Sequence, residues 1–212
     1  MPRTSLDRFE QRKLTRAKLI DAALQLFSTS GYEHATVDDI SQAAGYSKGA
    51  YYFHFSTKDD ILLELLRVWT EGRGVVLAQG AEMDANPREA LHESLANFMS
   101  YADTPQWPGV LLEFWAQAVR NPEVSKRLTQ AYASWRKTLT ETFATAASAG
   151  VMQLQSAEDA AAVALAAHDG YAVQIAIGSP GGKAMTPAEL VEALLAPLEA
   201  AAASEGRQAA AR

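Results

Sequence analysis

The side chains best suited to binding chemistry lie in residues 36–58, with the sequence TVDDISQAAGYSKGAYYFHFSTK. Lys48, Tyr51, Tyr52 and His54 occupy positions that would be exposed on one short predicted helix. An ordinary surface helix rarely concentrates a cation, two phenols and an imidazole, whereas a helix lying in the major groove of DNA uses such hydrogen-bonding groups. The composition of this helix therefore predicts a DNA interface.

A second group of side chains predicts a small-molecule pocket in the rest of the chain. Its aromatic members would supply apolar walls, and three polar members spaced i, i+3 and i+6 on an aliphatic helix would orient a ligand. Each of these aromatics could instead be an ordinary core residue, and the histidine could be a satisfied core histidine. The candidates are Trp69, Phe98, Tyr101, Trp107, Phe114, Trp115, His168, Tyr171 and Gln174.

Catalytic chemistry has no support in the sequence. The four histidines are scattered, cysteine is absent, and no glycine-rich loop follows a strand. We therefore expect no enzyme activity, no metal and no cofactor. The net charge is −6, but residues 1–18 hold six Lys or Arg against two acidic residues. The basic charge thus lies beside the predicted DNA interface, where we expect this arm to contact groove or phosphate.

Two short helices joined by a tight turn would position this interface. Thr36 is a suitable N-cap for the first helix, Gly45 favours a left-handed stop, and Ser47 offers the next N-cap oxygen. The second helix would then run from about Lys48 to Phe55. This helix, three-residue turn and helix is the arrangement that presents a recognition helix to base edges.

Three residues of the second helix have alternative interpretations. Gly49 could let the backbone approach DNA closely, or it could serve internal packing. Tyr51 and Phe53 compete for a place in the core, and we expect Phe53 to be the buried one.

Helical periodicity runs through the whole chain, and strand signals are nearly absent. The pattern predicts an all-α protein of about nine helices, in which an N-terminal three-helix helix-turn-helix domain precedes a C-terminal helical bundle. We place the DNA-binding domain at residues 1–56 and a ligand-binding and dimerisation domain at 57–203. Residues 204–212 are expected to form a flexible tail.

Four linked segments resemble the DNA-binding domain of the TetR family of transcriptional regulators. They are residues 15–20, AALQLFSTSGY at 22–32, TVDDISQAAG at 36–45 and YYFHFSTK at 51–58. The resemblance implies that the DNA backbone is contacted by Thr36, Tyr52, His54 and Lys58. It also implies that base edges are within reach of the residues at the start of the second helix, which are Ser47, Lys48, Gly49 and Tyr51.

The second half of the chain is similar to the regulatory domain of BetI-type members of that family. The matching segments are LLEFWAQAVRNPEV at 111–124 and HDGYAVQIAIG at 168–178. In the family the last two helices pair with those of a second copy, so the alanine-rich helix at 156–177 is expected to form a dimer face. The alternative is an alanine-rich helix buried within the monomer.

These patterns together predict a cytoplasmic, ligand-responsive transcriptional repressor that binds a palindromic operator as a homodimer. Its partners would be double-stranded DNA and a small-molecule effector with an apolar or aromatic part, and no membrane contact is expected. Two alternatives from other classes remain: an α-helical enzyme acting on a small molecule, and a protein-interaction scaffold.

Overall fold

A computed structural model describes residues 5–80, 86–100, 105–178 and 185–210. Tyr101 and the expected loop at 179–182 lie outside these residues. Within the described chain there are nine α-helices and no strand, which confirms the all-α prediction. They are α1 (Ser5–Ser30), α2 (Val37–Ala43), α3 (Lys48–His54), α4 (Lys58–Gly80), α5 (Pro87–Met99), α6 (Trp107–Ala118), α7 (Pro122–Ser148), α8 (Ala157–Ile177) and α9 (Pro187–Ala210).

Two helices are longer than the sequence suggested. The basic N-terminal arm belongs to α1, which begins at Ser5, so its cations from Arg12 onward are arrayed on a helix. At the other end, α9 continues to Ala210, past the expected end near Ala203. Alanine, Glu, Gln and Arg are good helix formers, which accounts for the continuation into residues 204–210.

The chain packs as two compact units. The first comprises Met1–Trp69 with Thr104–Leu128, and the second comprises Thr70–Asp103 with Thr129–Arg212. The division falls inside α4 and inside α7. This division by packing differs from the domain boundary between residues 56 and 57 that the sequence suggested. The assignment of DNA binding to residues 1–56 and of ligand binding to 57–203 stays a prediction.

The core of the first unit forms around the apolar stripe of α1. Leu19, Ala23 and Phe27 recur every four residues on one face and are buried. Partners on the other helices are also buried, and a fully buried Leu, Ile or Phe side chain contributes about 1.5–3 kcal/mol. These partners are Ile40, Tyr51, Ile61, Leu65, Val110 and Phe114.

A charged cluster joins α1 to α4 in the first unit. Arg16 donates to Glu64 with an Nη1–Oε1 distance of 2.6 Å, and Arg67 donates to the same oxygen at 2.7 Å. The hydrogen bonds from Arg16 and Arg67 lower the pKa of Glu64 to about 2. The Arg16 guanidinium also lies 5.1 Å from the ring centroid of Phe55, just past the end of α3. Arg16 thus ties three helices of the unit together.

We expect Glu64→Gln to lower the free energy of unfolding at pH 7, because it removes the carboxylate that pairs with Arg16 and Arg67. The expected loss is about 1–2 kcal/mol, since Glu64 is well buried but Arg16 is partly exposed. A depressed carboxyl pKa stabilises the fold above the unfolded value of about 4.3 and loses that effect as pH falls through the folded value. The difference between variant and wild type should therefore shrink between about pH 4.5 and pH 2. Urea unfolding across this range measures it, with Glu93→Gln on the exposed face of α5 as control. A difference that stays constant with pH would contradict the low pKa of Glu64 and its pairing with Arg16 and Arg67.

The second unit packs α5, α7, α8 and α9 around buried apolar side chains. Arg73 of α4 is 8% exposed and closes the C-terminal end of α5. Its Nη1 donates to the carbonyl of Phe98 and its Nη2 to that of Ser100, both at 2.7 Å. Helix C-termini leave carbonyls unsatisfied, so this cation supplies the missing donors.

Candidate DNA interface and ligand region

Helix α2 is fixed at its start by a capping box. The Thr36 hydroxyl accepts from the backbone N–H of Asp39 at 3.1 Å, and the Asp39 carboxylate accepts from the Thr36 N–H at 3.0 Å. The hydrogen bonds from Thr36 lower the pKa of Asp39. The predicted N-cap is therefore present, and the Thr36 hydroxyl lies at the exposed end of α2.

The turn between α2 and α3 depends on one glycine. Gly45 has φ +75° and its N–H donates to the Gln42 carbonyl at 3.0 Å. The Tyr46 N–H donates to the Ser41 carbonyl at 2.9 Å. This pair of bonds is the usual left-handed end of a helix, which favours glycine because a side chain is strained there. Ser47 then caps α3 by accepting from the Ala50 N–H.

In α3, the burial of Tyr51 and Phe53 is the reverse of what the sequence suggested. Tyr51, expected near base edges, has no exposed surface, and its hydroxyl donates to the Thr57 carbonyl at 2.9 Å. Phe53, expected in the core, is 63% exposed. The reason is periodicity: Tyr51 and Phe55 lie four residues apart and share the buried face, whereas Phe53 points about 200° away from Tyr51. Tyr51 therefore holds α3 in place, and Tyr52 and Phe53 form its exposed aromatic surface.

Gly49 has no internal packing role. It is exposed in the first turn of α3, and an added Cβ would meet only the Ser47 hydroxyl, at 3.7 Å. Of the two interpretations that the sequence left open, close approach of the backbone to another molecule is the one this geometry favours.

Lys58, the first residue of α4, is engaged within the protein. Its ammonium donates to the carbonyls of Tyr32 at 2.6 Å and Ala35 at 3.0 Å, and it lies 4.2 Å from the Tyr32 ring centroid. These contacts pin the loop between α1 and α2 to the start of α4. Asp60 caps that start by accepting from the Thr57 N–H at 2.9 Å.

A basic crevice lies between α1 and α3, with a volume of about 400 Å³. The Arg12 guanidinium lies 5.0 Å from the Phe53 ring centroid, so it covers the exposed aromatic. Burial, and then the charges of Arg16 and Arg12, lower the pKa of His54. An arginine and an imidazole in the lining of one crevice can both donate hydrogen bonds to a phosphate. Its lining residues are Gln11, Arg12, Thr15, Tyr46, Ala50, Phe53 and His54.

The expected pocket residues of the first unit pack together. Trp69, Trp107 and Phe114 are buried, with ring centroids 6.0–6.4 Å apart. Trp115 is half-buried. On the same helix, α6, the Gln117 side chain donates to the Glu33 carboxylate at 3.1 Å, next to the loop that Lys58 holds.

The expected pocket residues of the second unit centre on His168. Its fully buried ring stacks on Phe98 at a centroid distance of 4.6 Å, and Trp135 packs against the other edge of Phe98. Asp169 lies 3.0 Å from His168 Nδ1 and accepts from the Tyr132 hydroxyl at 2.7 Å. Burial lowers the pKa of His168, and Asp169 opposes this effect. The cluster combines aromatic rings with a carboxylate that is 27% exposed.

The other two polar candidates of α8 do not join this cluster. The Tyr171 hydroxyl donates to the Met185 carbonyl at 2.9 Å, and Gln174 is exposed. Spacings of three and six residues place side chains about 300° and 240° around a helix from the first, so the three do not converge. Arg73, near enough to lower the pKa of His168, was missed by the sequence analysis. An arginine inside an otherwise apolar helix face was the available signal.

A groove of about 880 Å³ also opens in the second unit, between the end of α7, the start of α8 and α9. Its walls are mostly apolar, and Gln153, Gln155 and Asp159 are among the polar residues that line it. Sequence reasoning missed it because its walls come from three separate helices.

Family models match both halves of the chain. A model of bacterial regulatory proteins of the tetR family matches residues 19–65. A model of the C-terminal region of BetI-type transcriptional repressors matches residues 87–203. The first match covers the second half of α1, α2, α3 and the start of α4, and the second covers α5 to α8 and most of α9.

Individual relatives are transcriptional regulators. The HTH-type regulator YwcC of Bacillus subtilis is 34% identical over 104 residues, covering 46% of this chain and 47% of its own length. The HTH-type transcriptional repressor Rv1474c of Mycobacterium tuberculosis is 30% identical over 126 residues, covering 59% and 61%. The chain thus spans about half to three fifths of the length of the curated relatives it matches.

Solved structures share the fold. A transcriptional regulator from Saccharomonospora viridis in complex with choline superposes with a TM-score of 0.75 at 25% identity, covering 85% of this chain and 95% of that chain. The regulator FadR of Bacillus subtilis in complex with stearoyl-CoA gives 0.70 at 19% identity, covering 86% and 97%. At that identity the second likeness concerns the fold alone.

Proposed function

The chain belongs to the tetR family of bacterial regulatory proteins, and from this premise we propose that it is a transcriptional repressor released from DNA by a small molecule. The observation that carries the proposal is the surface of α3. Its start presents Lys48 and the bare backbone of Gly49, and Tyr52 and Phe53 are exposed on it. Residues at the start of a recognition helix are those that reach base edges.

Phosphate contacts would flank this surface on both sides. On one side lie Arg12 and His54 of the basic crevice, and on the other lie Tyr52 and the start of α4. The N–H groups at a helix start attract an anion, which supports a backbone contact at Lys58 even though its ammonium holds the loop carbonyls. Thr36, at the exposed start of α2, would provide a further contact to the DNA backbone.

The direct test is to select bound DNA from a random pool and then measure affinity against salt concentration. Tyr52→Ala should weaken binding to all sequences because a backbone contact carries no base information. Lys58→Ala should also weaken binding to all sequences, because the loop that the ammonium holds would no longer fix the start of α4. Circular dichroism melting separates loss of contact from loss of fold, because Lys58 also holds the loop.

Unchanged affinity for both variants would overturn the helix-turn-helix assignment. The absence of salt-dependent DNA binding in the wild type would instead favour a protein-interaction scaffold, and stoichiometric bound metal with turnover of a small molecule would favour an enzyme.

Dimerisation is proposed through the exposed stripe of α8. Val163, Ala166, Gly170 and Ile177 recur at intervals of three, four and seven residues, and all are exposed. Val163 is 53% and Ile177 63% exposed, which is unusual for aliphatic side chains at helical spacing. By length and composition α8 would also pass as a membrane span, but the ionisable His168 and Asp169 lie within it. Small residues on this stripe would let a second copy of the helix approach closely.

The effector region is proposed around His168. Asp169 offers a partly exposed carboxylate beside Tyr132, Trp135 and Phe98. A carboxylate among aromatic rings suits a ligand with a positive charge and an apolar part. The related regulator from Saccharomonospora viridis was solved with choline, a quaternary ammonium. We therefore propose a cationic amphipathic effector for this chain.

Coupling between effector and operator would pass along α4, since the chain crosses from one unit to the other within this helix. Glycines at 72 and 74 weaken a helix by about 1 kcal/mol each relative to alanine, which lowers the cost of bending. Gly72 has open space around it, and a Cβ at Gly74 would lie 4.0 Å from Trp135 Nε1, so both accept alanine.

We expect operator DNA to weaken effector binding by roughly 5- to 150-fold, the range of typical couplings. Gly72→Ala with Gly74→Ala should reduce this factor and leave effector affinity of the free protein nearly unchanged. Titration of choline and related quaternary amines, with and without operator, measures both quantities. Equal coupling in variant and wild type would exclude a hinge role for the glycines.

A further inference from the structure

An ion pair lies on the exposed surface shared by α2 and α3. The Lys48 ammonium and an oxygen of the Asp38 carboxylate are 2.9 Å apart, and their side chains are 52% and 66% exposed. The pair joins the first turn of α2 to the first turn of α3. The capping box of α2 is closed by Asp39, so Asp38 is available for this contact.

Stability accounts for little of the role of Asp38. Exposed ion pairs contribute little to folding, and Asp38 adds only a small helix-dipole contribution to the first turn of α2, where Asp39 already supplies the capping carboxylate. On the surface that would face a polyanion, a carboxylate that is mostly exposed weakens binding through repulsion of phosphates. A residue with little benefit to the fold and a cost to DNA affinity is expected to have another effect, and its carboxylate forms an ion pair with Lys48.

Asp38 affects the orientation of the Lys48 side chain. It is the first residue of α3, between the cap Ser47 and the bare Gly49, where side chains reach base edges. An unrestrained lysine there would swing to the nearest phosphate, because its four-carbon stem is flexible and its charge is a compact point. The hydrogen bond to Asp38 holds the ammonium towards α2 and also raises the pKa of Lys48.

We propose that Asp38 is a specificity-determining residue, which keeps Lys48 from phosphates and directs it to the acceptor edge of a base, typically guanine. This inference rests on the proposed DNA-binding function. Asp38 itself is a positioning residue. Its carboxylate lowers the affinity for every DNA sequence, but it lowers the affinity most for sequences that offer Lys48 no base acceptor.

The test compares Asp38→Asn with wild type on selected operator and on non-operator DNA. Non-operator affinity should rise by about two- to fivefold, the scale of one exposed ion pair, and its salt slope should steepen by about 0.9 as Lys48 gains a phosphate. Operator affinity should change less, so that the ratio of the two affinities falls. Lys48→Ala in the Asp38→Asn background should remove the gain on non-operator DNA.

Asp21→Asn on the exposed surface of α1 is the matched control, since it changes the net charge equally on a different helix. A ratio that falls as much in Asp21→Asn as in Asp38→Asn would show a general charge effect and overturn the inference. An unchanged ratio in Asp38→Asn would overturn it as well, with DNA binding intact. A wild-type chain that selects no sequence would overturn the proposed function, and this inference with it.

Discussion

Val163→Arg is expected to convert the proposed dimer into a monomer of 22.9 kDa and to lower its operator affinity by about 100-fold or more. The arginine would place a charge on the exposed stripe of α8 and set it against its counterpart in the second copy, where desolvation is unfavourable. A monomer reads one half-site at a time, and loss of the linked second site typically costs about 10²- to 10⁴-fold. Sedimentation equilibrium and gel shift measure the two effects.

Val119→Arg is the matched control for this experiment. Val119 follows α6 in the first unit and is 87% exposed, so the same substitution there should alter neither mass nor affinity. Ala164→Arg, on the same alanine-rich helix, is not a substitute for Val163→Arg. Ala164 is fully buried, so an arginine there would unfold the monomer. A Val163→Arg protein that stays dimeric would place the dimer contact elsewhere.

Gly49→Ala is expected to stabilise the protein and weaken its DNA binding at the same time. Alanine in a helix is about 0.5–1 kcal/mol more stable than glycine, and the new Cβ meets only the Ser47 hydroxyl at 3.7 Å. If the backbone of α3 approaches bases at this point, the methyl group would separate them. We expect a loss of about 5- to 150-fold, the value of about 1–3 kcal/mol for one good base contact.

A substitution that raises the stability of the fold but lowers the affinity for DNA identifies a residue of the contact surface rather than a residue needed for folding. Thermal melting gives the first and operator titration the second. Gly72→Ala is the control, because Gly72 is also an exposed helical glycine with open space around it. It should raise stability similarly and leave the operator affinity of the effector-free protein unchanged. Gly49→Ala with full operator affinity would contradict close approach at this residue.

The sequence by itself determined the helices and the order in which they come. Thr36, Gly45 and Ser47 specify the end of one helix and the start of the next through bonds to residues two to five positions away. These local interactions can form whatever conformation the rest of the chain adopts. The family could be identified for the same reason, since the helix-turn-helix pattern is contained in one short segment.

Tertiary structure decided which face of each helix is exposed and what each polar group contacts. Tyr51 rather than Phe53 is buried because that face of α3 packs on the rest of the unit, and α1, one of the packing partners, lies outside the helix-turn-helix segment. Lys58 binds the loop between α1 and α2, which lies 23–26 residues earlier in the chain. The α8 residues around Ala164 are all small or apolar, so periodicity could not separate buried Ala164 from exposed Val163. Orientation depends on contacts between distant segments, and no pattern within one helix contains them.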